Sequence, residues 1–326
     1  MDSLKFLLHG AAHDSTRFKA LIAMAGEYIG ADPDTTFTLC LQARDLAPRT
    51  GRPGDVGEIE GWLGYIEEQR GNIKDALAHY QVSLAEAERL HDNKGTSVVL
   101  NNLAAIFKDQ GRIEEALAAH RRSLDIRQTS KDSSGIATSL NNIGLILYDQ
   151  GRIPEAMEHY AEALRIYEAI GEQEGTATAL HNIAGIYRDQ GDLPEALAYF
   201  QRALLIQKGL DDVYGMAGTE DNIGGVLEGQ GVNADALTHF QRAFALHEKV
   251  GDQRGMGYSL RNIAGIEMKA GTADSALANA LRAMRLFGAT DDKRGRASAL
   301  WMSGLALQRL GRDAEAERSA VEALAL

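Results

Sequence analysis

The sequence predicts an all-α fold, a right-handed α-α superhelix of paired antiparallel helices, and three observations carry that prediction. The first is a 40-residue period: HNIAGIYRDQGDLPEALAYFQRALLIQ from His181 has counterparts at 40 and 80 residues upstream, NNIGLILYDQGRIPEAMEHYAEALRIY and NNLAAIFKDQGRIEEALAAHRRSLDIR. Self-similarity at such a period is the signature of a stacked repeat array. The second is register: glycine falls at Gly71, Gly111, Gly151, Gly191, Gly231, Gly271 and Gly311, with alanine five residues later at Ala76, Ala116, Ala156, Ala196, Ala236, Ala276 and Ala316. The third is the lack of any alternating, strand-like pattern along the chain.

Residues 1–51 read as an N-terminal helix and a degenerate capping unit, in which Leu21, Met24, Ala25 and Tyr28 keep helical spacing before a shortened Asp32-Pro33-Asp34 turn. Seven regular units follow over 52–326, at 52–90, 91–130, 131–170, 171–210, 211–250, 251–290 and 291–326. Within a unit the first helix places Leu180, Ile183, Ala184 and Tyr187 on one stripe, and the second places Ala196, Phe200, Ala203 and Leu204. That is the i, i+3, i+4, i+7 spacing of an amphipathic helix. Pro154 and Pro194 fall in the first turn of a helix, where the missing N–H is unpaired in any case. A second glycine series, Gly95, Gly135, Gly175, Gly215, Gly255 and Gly295, lies between units and reads as a set of left-handed helix ends. Gly64, Ala104, Gly144, Ala184, Gly224, Ala264 and Gly304 form a small-residue column that lets helix axes approach closely. The unit from Asp211 to Val250, with Glu220 in a core column and extra glycines at Gly218, Gly225 and Gly229, reads as the softest.

The small residue after Ile183, with Tyr187, Gly191, Ala196, Phe200 and Ala203, resembles the tetratricopeptide repeat signature in the long form found in kinesin light chains and Pins-type adaptors; the resemblance covers 52–326. The stretch from Asp14 is similar to the start of the repeat-bearing sensor regions of bacterial adenylate cyclases and histidine kinases. Local departures are Glu67 and Glu267 in place of an aromatic residue, Glu220 in place of Leu, and His120, Ala280 and Ala320 in place of the second-helix aromatic, which predict looser packing there. The last helix leaves Ala316, Ala320, Ala323 and Leu324 without a polar cap, so the chain reads as part of a longer protein or as self-associating through that helix.

Composition narrows the function. A net charge of −12 repels phosphate backbones, and no apolar run approaches a membrane span, so neither nucleic acid nor membrane insertion is expected. The opening residues carry no export signal, which predicts a cytoplasmic chain, or a periplasmic one if a leader was removed. Cys40 is the sole cysteine, so no internal disulfide can form. No phosphate loop, HExxH or GxSxG motif is present; His79, His159 and His239 recur in one second-helix column and read as surface residues. Neither cofactor, metal nor catalysis is expected.

The stripe geometry places Asn102, Asn142, Asn182, Asn222 and Asn262 opposite the buried face, with Asp109, Asp149 and Asp189 about two turns along. Carboxamides both donate and accept, matching the N–H and C=O of an extended peptide whatever its side chains. Asparagines that bond one another or the next helix are the competing reading. Around them Lys108, Tyr148, Arg188 and Glu228 in one column, and His181, Asp221, Arg261 and Trp301 in another, vary between units, as specificity positions would. Tyr65, Tyr148 and Tyr258 are the expected aromatic contacts. Two functions follow as expectations: a non-catalytic scaffold that holds an extended peptide in its groove, or the ligand-sensing input region of a larger bacterial signalling enzyme. A peptide-pheromone receptor is a third and more remote one.

Overall fold

The computed structural model describes residues 13–29 and 32–326. Its described residues form sixteen α-helices and no strand. The chain divides into two compact units, Met1–His159 and Tyr160–Leu326. The first contains α1 (Asp14–Tyr28), α2 (Pro33–Leu46), α3 (Asp55–Gln69), α4 (Ile73–Arg89), α5 (Asn93–Asp109), α6 (Ile113–Ser130) and α7 (Ser133–Asp149). The division falls within α8 (Ile153–Ile170), and the second unit continues with α9 (Gln173–Asp189), α10 (Leu193–Gly209), α11 (Val213–Gly229), α12 (Asn233–Val250), α13 (Gln253–Lys269), α14 (Ala273–Ala289), α15 (Lys293–Arg309) and α16 (Asp313–Leu324). The N-terminal helix expected ahead of Asp14 lies outside the described residues.

The turn inside each helix pair follows from its glycine. Gly191 sits at φ +80°, its N–H donates to Arg188 O (3.0 Å), and the next N–H, of Asp192, donates to Tyr187 O (2.9 Å). Those two bonds satisfy the last carbonyls of α9 in the manner of a left-handed helix cap. Asp192 then accepts from Glu195 N (3.4 Å) and starts α10.

The second glycine series does a different job from the one predicted. The left-handed residues between units are His91, Lys131, Gly171, Asp211, Gly251 and Asp291. Gly95, Gly135, Gly215, Gly255 and Gly295 instead lie in the first helical turn and donate N–H to Asp92, Asp132, Asp212, Asp252 and Asp292, at 2.8–3.1 Å. What demands glycine is space: a Cβ at Gly135 would sit 2.6 Å from Arg127 Cδ, and one at Gly295 would sit 2.4 Å from Phe287 Cδ1. The last turn of the preceding helix lays its side chain across this position.

The predicted stripes are the core. In the second unit Leu180, Ala184, Ala196, Phe200 and Ala203 are fully enclosed, and Ala184, Ala196 and Phe200 share one core with Ile223, Phe240, Leu260 and Phe287. In the first unit Phe18, Leu21, Met24 and Ala25 pack against Cys40, Ile59 and Leu63, and Tyr80 packs against Val99, Leu103 and Ile106. A Cβ at Gly224 would stand 2.6 Å from the Phe240 ring, which gives the small-residue column its physical basis.

The Glu and His departures from the repeat pattern are compensated by polar pairing. Glu220, 2% exposed, meets His239 Nδ1 at 2.5 Å across the α11–α12 pair. Glu67 accepts from Asn72 Nδ2 (2.6 Å), and Glu267 accepts from Asn279 Nδ2 (2.9 Å). His120, 4% exposed, receives the Asn101 amide N–H on Nδ1 (3.0 Å), while the Asn101 oxygen accepts from Arg127. His79, His159 and His239 are corrected from surface residues to half-buried ones: His79 and His239 partner Glu60 (2.6 Å) and Glu220, and His159 Nδ1 bonds the Glu155 carbonyl one turn back in its own helix (2.9 Å).

Candidate functional site

Each first helix buries one stripe and leaves the opposite face accessible, and the candidate residues lie along that boundary. Asn102 and Asn142 in the first unit, and Asn182, Asn222 and Asn262 in the second, are all half-buried. Lys108, Tyr148, Arg188, Arg261 and Tyr258 are half-buried as well; Tyr65 is 39% exposed. Asp109, Asp149 and Asp189 are exposed.

In the second unit these residues join a protein-internal network. Asn222 Oδ1 accepts from Arg188 Nη1 (2.6 Å), and its Nδ2 donates to Gly218 O (3.0 Å) and to His181 Nε2 (3.2 Å). Burial first, and then the Arg188 charge, push His181 down to about 4, so the imidazole is neutral. A neutral ring that accepts at Nε2 carries its proton on Nδ1 and donates it to Thr219 Oγ1 (3.0 Å). His181 and Asp221, expected among the variable contact positions, are thus held within the fold: Asp221 accepts from Ser259 Oγ (2.9 Å) and pairs with His247 Nε2 (3.1 Å). Trp301, from the same column, is 57% exposed.

Arg261 donates to Asn262 and lies 5.6 Å from the centre of the Tyr258 ring. The Tyr258 hydroxyl donates to Asp292 Oδ2 (3.0 Å), which also receives Arg254 Nε (2.7 Å). The Gly295 N–H, then Tyr258 and Arg254, hold the Asp292 carboxyl below its usual range. Tyr258 therefore presents a ring face flanked by guanidinium groups, with its hydroxyl already engaged.

In the first unit the Tyr80 hydroxyl donates to Glu68 Oε2 (2.8 Å) and meets the Asn102 side chain. A cavity of about 680 Å³ brings Tyr65 and Asn102 together with Asp55, Trp62, Val98 and Leu90, and Lys108 is not among its lining residues. Asp55 and Trp62 were not among the residues picked out from sequence. The legible signal was Gly57 and Gly61, one turn apart on α3: a Cβ at either would come within 3.2 Å of α4 side chains, so the two helices approach closely and the wider space opens beside them.

Among the described residues no group of three His, Cys, Asp or Glu side chains is placed to hold a metal ion. Cys40 is fully buried, and burial pushes its thiol up to about 12, far from a reactive thiolate. No helix among the described residues is long and apolar enough to cross a membrane.

A family model of the tetratricopeptide repeat matches residues 55–129 and 135–208. Among solved structures, the chain is similar to the apo form of the quorum sensor NprR from B. thuringiensis, with 14% identity and a TM-score of 0.75 over 99% of this chain and 91% of that one. It is similar to PH0952 from Pyrococcus horikoshii, a signal transduction ATPase with a tetratricopeptide repeat sensor, with 15% identity and a TM-score of 0.74 over 99% of this chain and 51% of that one. A third likeness is to aspartyl phosphate phosphatase F from Bacillus subtilis, with 11% identity and a TM-score of 0.66 over 96% and 82% of the two chains. At these identities the likeness is one of fold. None of the curated proteins matches the sequence.

Proposed function

Because the chain is a tetratricopeptide repeat protein, we propose that it is a non-catalytic scaffold that holds an extended peptide or partner segment against the accessible face of its first helices. The observation that carries this reading is the Arg188–Asn222 pair. A half-buried carboxamide and guanidinium are fixed in one geometry before any ligand arrives, which lowers the ordering cost of binding. A guanidinium has five N–H donors, more than Asn222 and Asp189 take up, so Arg188 retains capacity for a peptide carbonyl or carboxylate. Arg261 and Asn262 repeat the combination of guanidinium and carboxamide two helix pairs further along, and there the Tyr258 ring adds a flat apolar surface.

A second reading treats the chain as the ligand-sensing region of a larger bacterial signalling protein. It is supported by the likeness to PH0952, of which the matched part makes up 51%. A reading frame that continues into a cyclase or kinase domain would decide for this second reading.

The test is peptide selection from a displayed library, followed by affinity measurement on wild type and on the Asn182→Ala/Asn222→Ala/Asn262→Ala variant, with thermal melting to confirm that the variant is folded. We expect affinity to fall about ten-fold or more, the loss of two charge-assisted hydrogen bonds. Selected peptides that bind the folded variant as tightly as wild type would remove the face from consideration.

A further inference from the structure

The first unit holds a buried acid that its own fold leaves incomplete. Asp55 is 0% exposed, and neither carboxylate oxygen has a hydrogen-bond partner. It opens α3, where the helix dipole favours an acid, yet no first-turn N–H is bonded to its side chain. Arg52 comes nearest, with Nε 3.3 Å from Oδ1, but the approach is not aligned for a hydrogen bond and the Arg52 side chain is 44% exposed. A buried charged group is ordinarily both paired and hydrogen-bonded, so a carboxylate that has an ionic neighbour in Arg52 but a hydrogen bond on neither oxygen, in a residue that lines a cavity, marks a place for an aligned donor from outside.

The rest of the lining narrows the donor's chemistry. Asp55 shares the cavity with Glu58, Glu86 and Asp92, against two bases, Arg52 and Lys94. Burial, and then the neighbouring Asp55 charge, hold Glu58 above the usual carboxylate range. Trp62, Tyr65, Val98 and Leu90 supply aromatic and aliphatic walls, and about 680 Å³ accommodates a long side chain. The aromatic and aliphatic walls beside the acid suit a cation carried on an apolar stem. Two adjacent carboxylate oxygens that both lack donors match a planar fork better than a point charge.

We propose that this cavity is a binding site for a guanidinium group on an apolar stem, with Asp55 taking the guanidinium through both oxygens, Trp62 and Tyr65 flanking the stem, and Arg52 as the resident cation that the ligand displaces. The site shares Tyr65 and Asn102 with the proposed peptide face but does not rest on that reading, because its argument is the buried acid that lacks hydrogen bonds.

Trp62 and Trp301 are the only tryptophans, so a Trp301→Phe background makes Trp62 emission a reporter of the cavity. Two probes separate the sources of the ligand: agmatine as a free guanidinium, and acetyl-Ala-Arg-Ala-amide as an arginine side chain on a peptide, with the citrulline peptide as the neutral control. We expect saturable changes with agmatine and the arginine peptide and none with citrulline. Tighter agmatine binding assigns a small molecule, and tighter peptide binding assigns a partner side chain. Asp55→Asn should weaken binding about ten-fold. Arg52→Ala, which removes the competing cation, should tighten it, and Val98→Phe, which fills the cavity from an exposed position, should abolish it even if Asp55→Asn fails to fold. The triple asparagine variant, altered in the second unit, should bind agmatine as wild type does. Absence of any saturable change up to about 10 mM, equal binding of citrulline, weaker binding by Arg52→Ala, or undiminished binding by a folded Asp55→Asn would each overturn the proposal.

Discussion

A single residue type does three separate jobs in this chain. Glycine at 191 supplies a left-handed turn, glycine at 135 makes room for a side chain lying across it, and glycine at 224 lets a phenyl ring meet the helix backbone. Alanine is used in the same spirit. Ala196 is 0% exposed within a core that also contains Phe200, Ile223 and Phe240. A tryptophan there has no void to occupy and must displace the neighbouring helix, at a cost of about 1–3 kcal/mol. Ala196→Trp is therefore expected to lower the melting temperature by several degrees, as read by circular dichroism. An unchanged melting curve would mean that the alanine column does not set the helix spacing.

At the level of the helix, α11 stands apart. It contains Gly218 and Gly225 in its interior and Gly229 at its end, and carries an acid, Glu220, in the core column. The Glu220–His239 pair satisfies the acid, so the anticipated looseness has one remaining cause, the backbone freedom of the glycines. A Cβ at Gly218 or Gly225 would meet no atom within 4 Å. Gly225→Ala should accordingly stabilise the protein by about 0.5–1 kcal/mol and slow amide exchange in α11 relative to α9. A destabilised variant would show that the residue keeps space for a contact the fold requires.

For the molecule as a whole, buried histidines set opposing limits on stability against pH. Burial, then Arg127 and Lys108, push His120 down to about 4. Its folded value lies below the unfolded one, so its contribution is complete above about pH 6.5 and is lost as pH falls towards 4, amounting to about 3 kcal/mol. His181 acts in the same direction. His247 acts in the other: burial opposes its charge, but the Asp221 and Asp252 carboxylates outweigh burial and raise it. Its contribution is complete below about pH 6.5 and fades as pH rises through the raised value. Urea titrations across pH 4–9 should show a stability maximum with losses on both sides. His120→Gln, which keeps a neutral polar group, should flatten the acid limb, and an identical acid limb in that variant would exclude His120 as its source.

The sequence by itself determined the helix pairs, the buried stripes and the turn glycines, because periodicity and backbone preference are local and repeat with the chain. It placed the asparagines opposite the buried stripe, whereas the structure holds them half-buried at its edge. Only the tertiary structure decided who partners whom: that Asn222 is held by Arg188 and His181, 34 and 41 residues away, and that Asp221 reaches Ser259, 38 residues away. The same holds for Asp55, whose significance lies in the partners it lacks. Side-chain pairing depends on which neighbours stacking brings within about 3 Å, and no pattern along one strand of sequence encodes that distance.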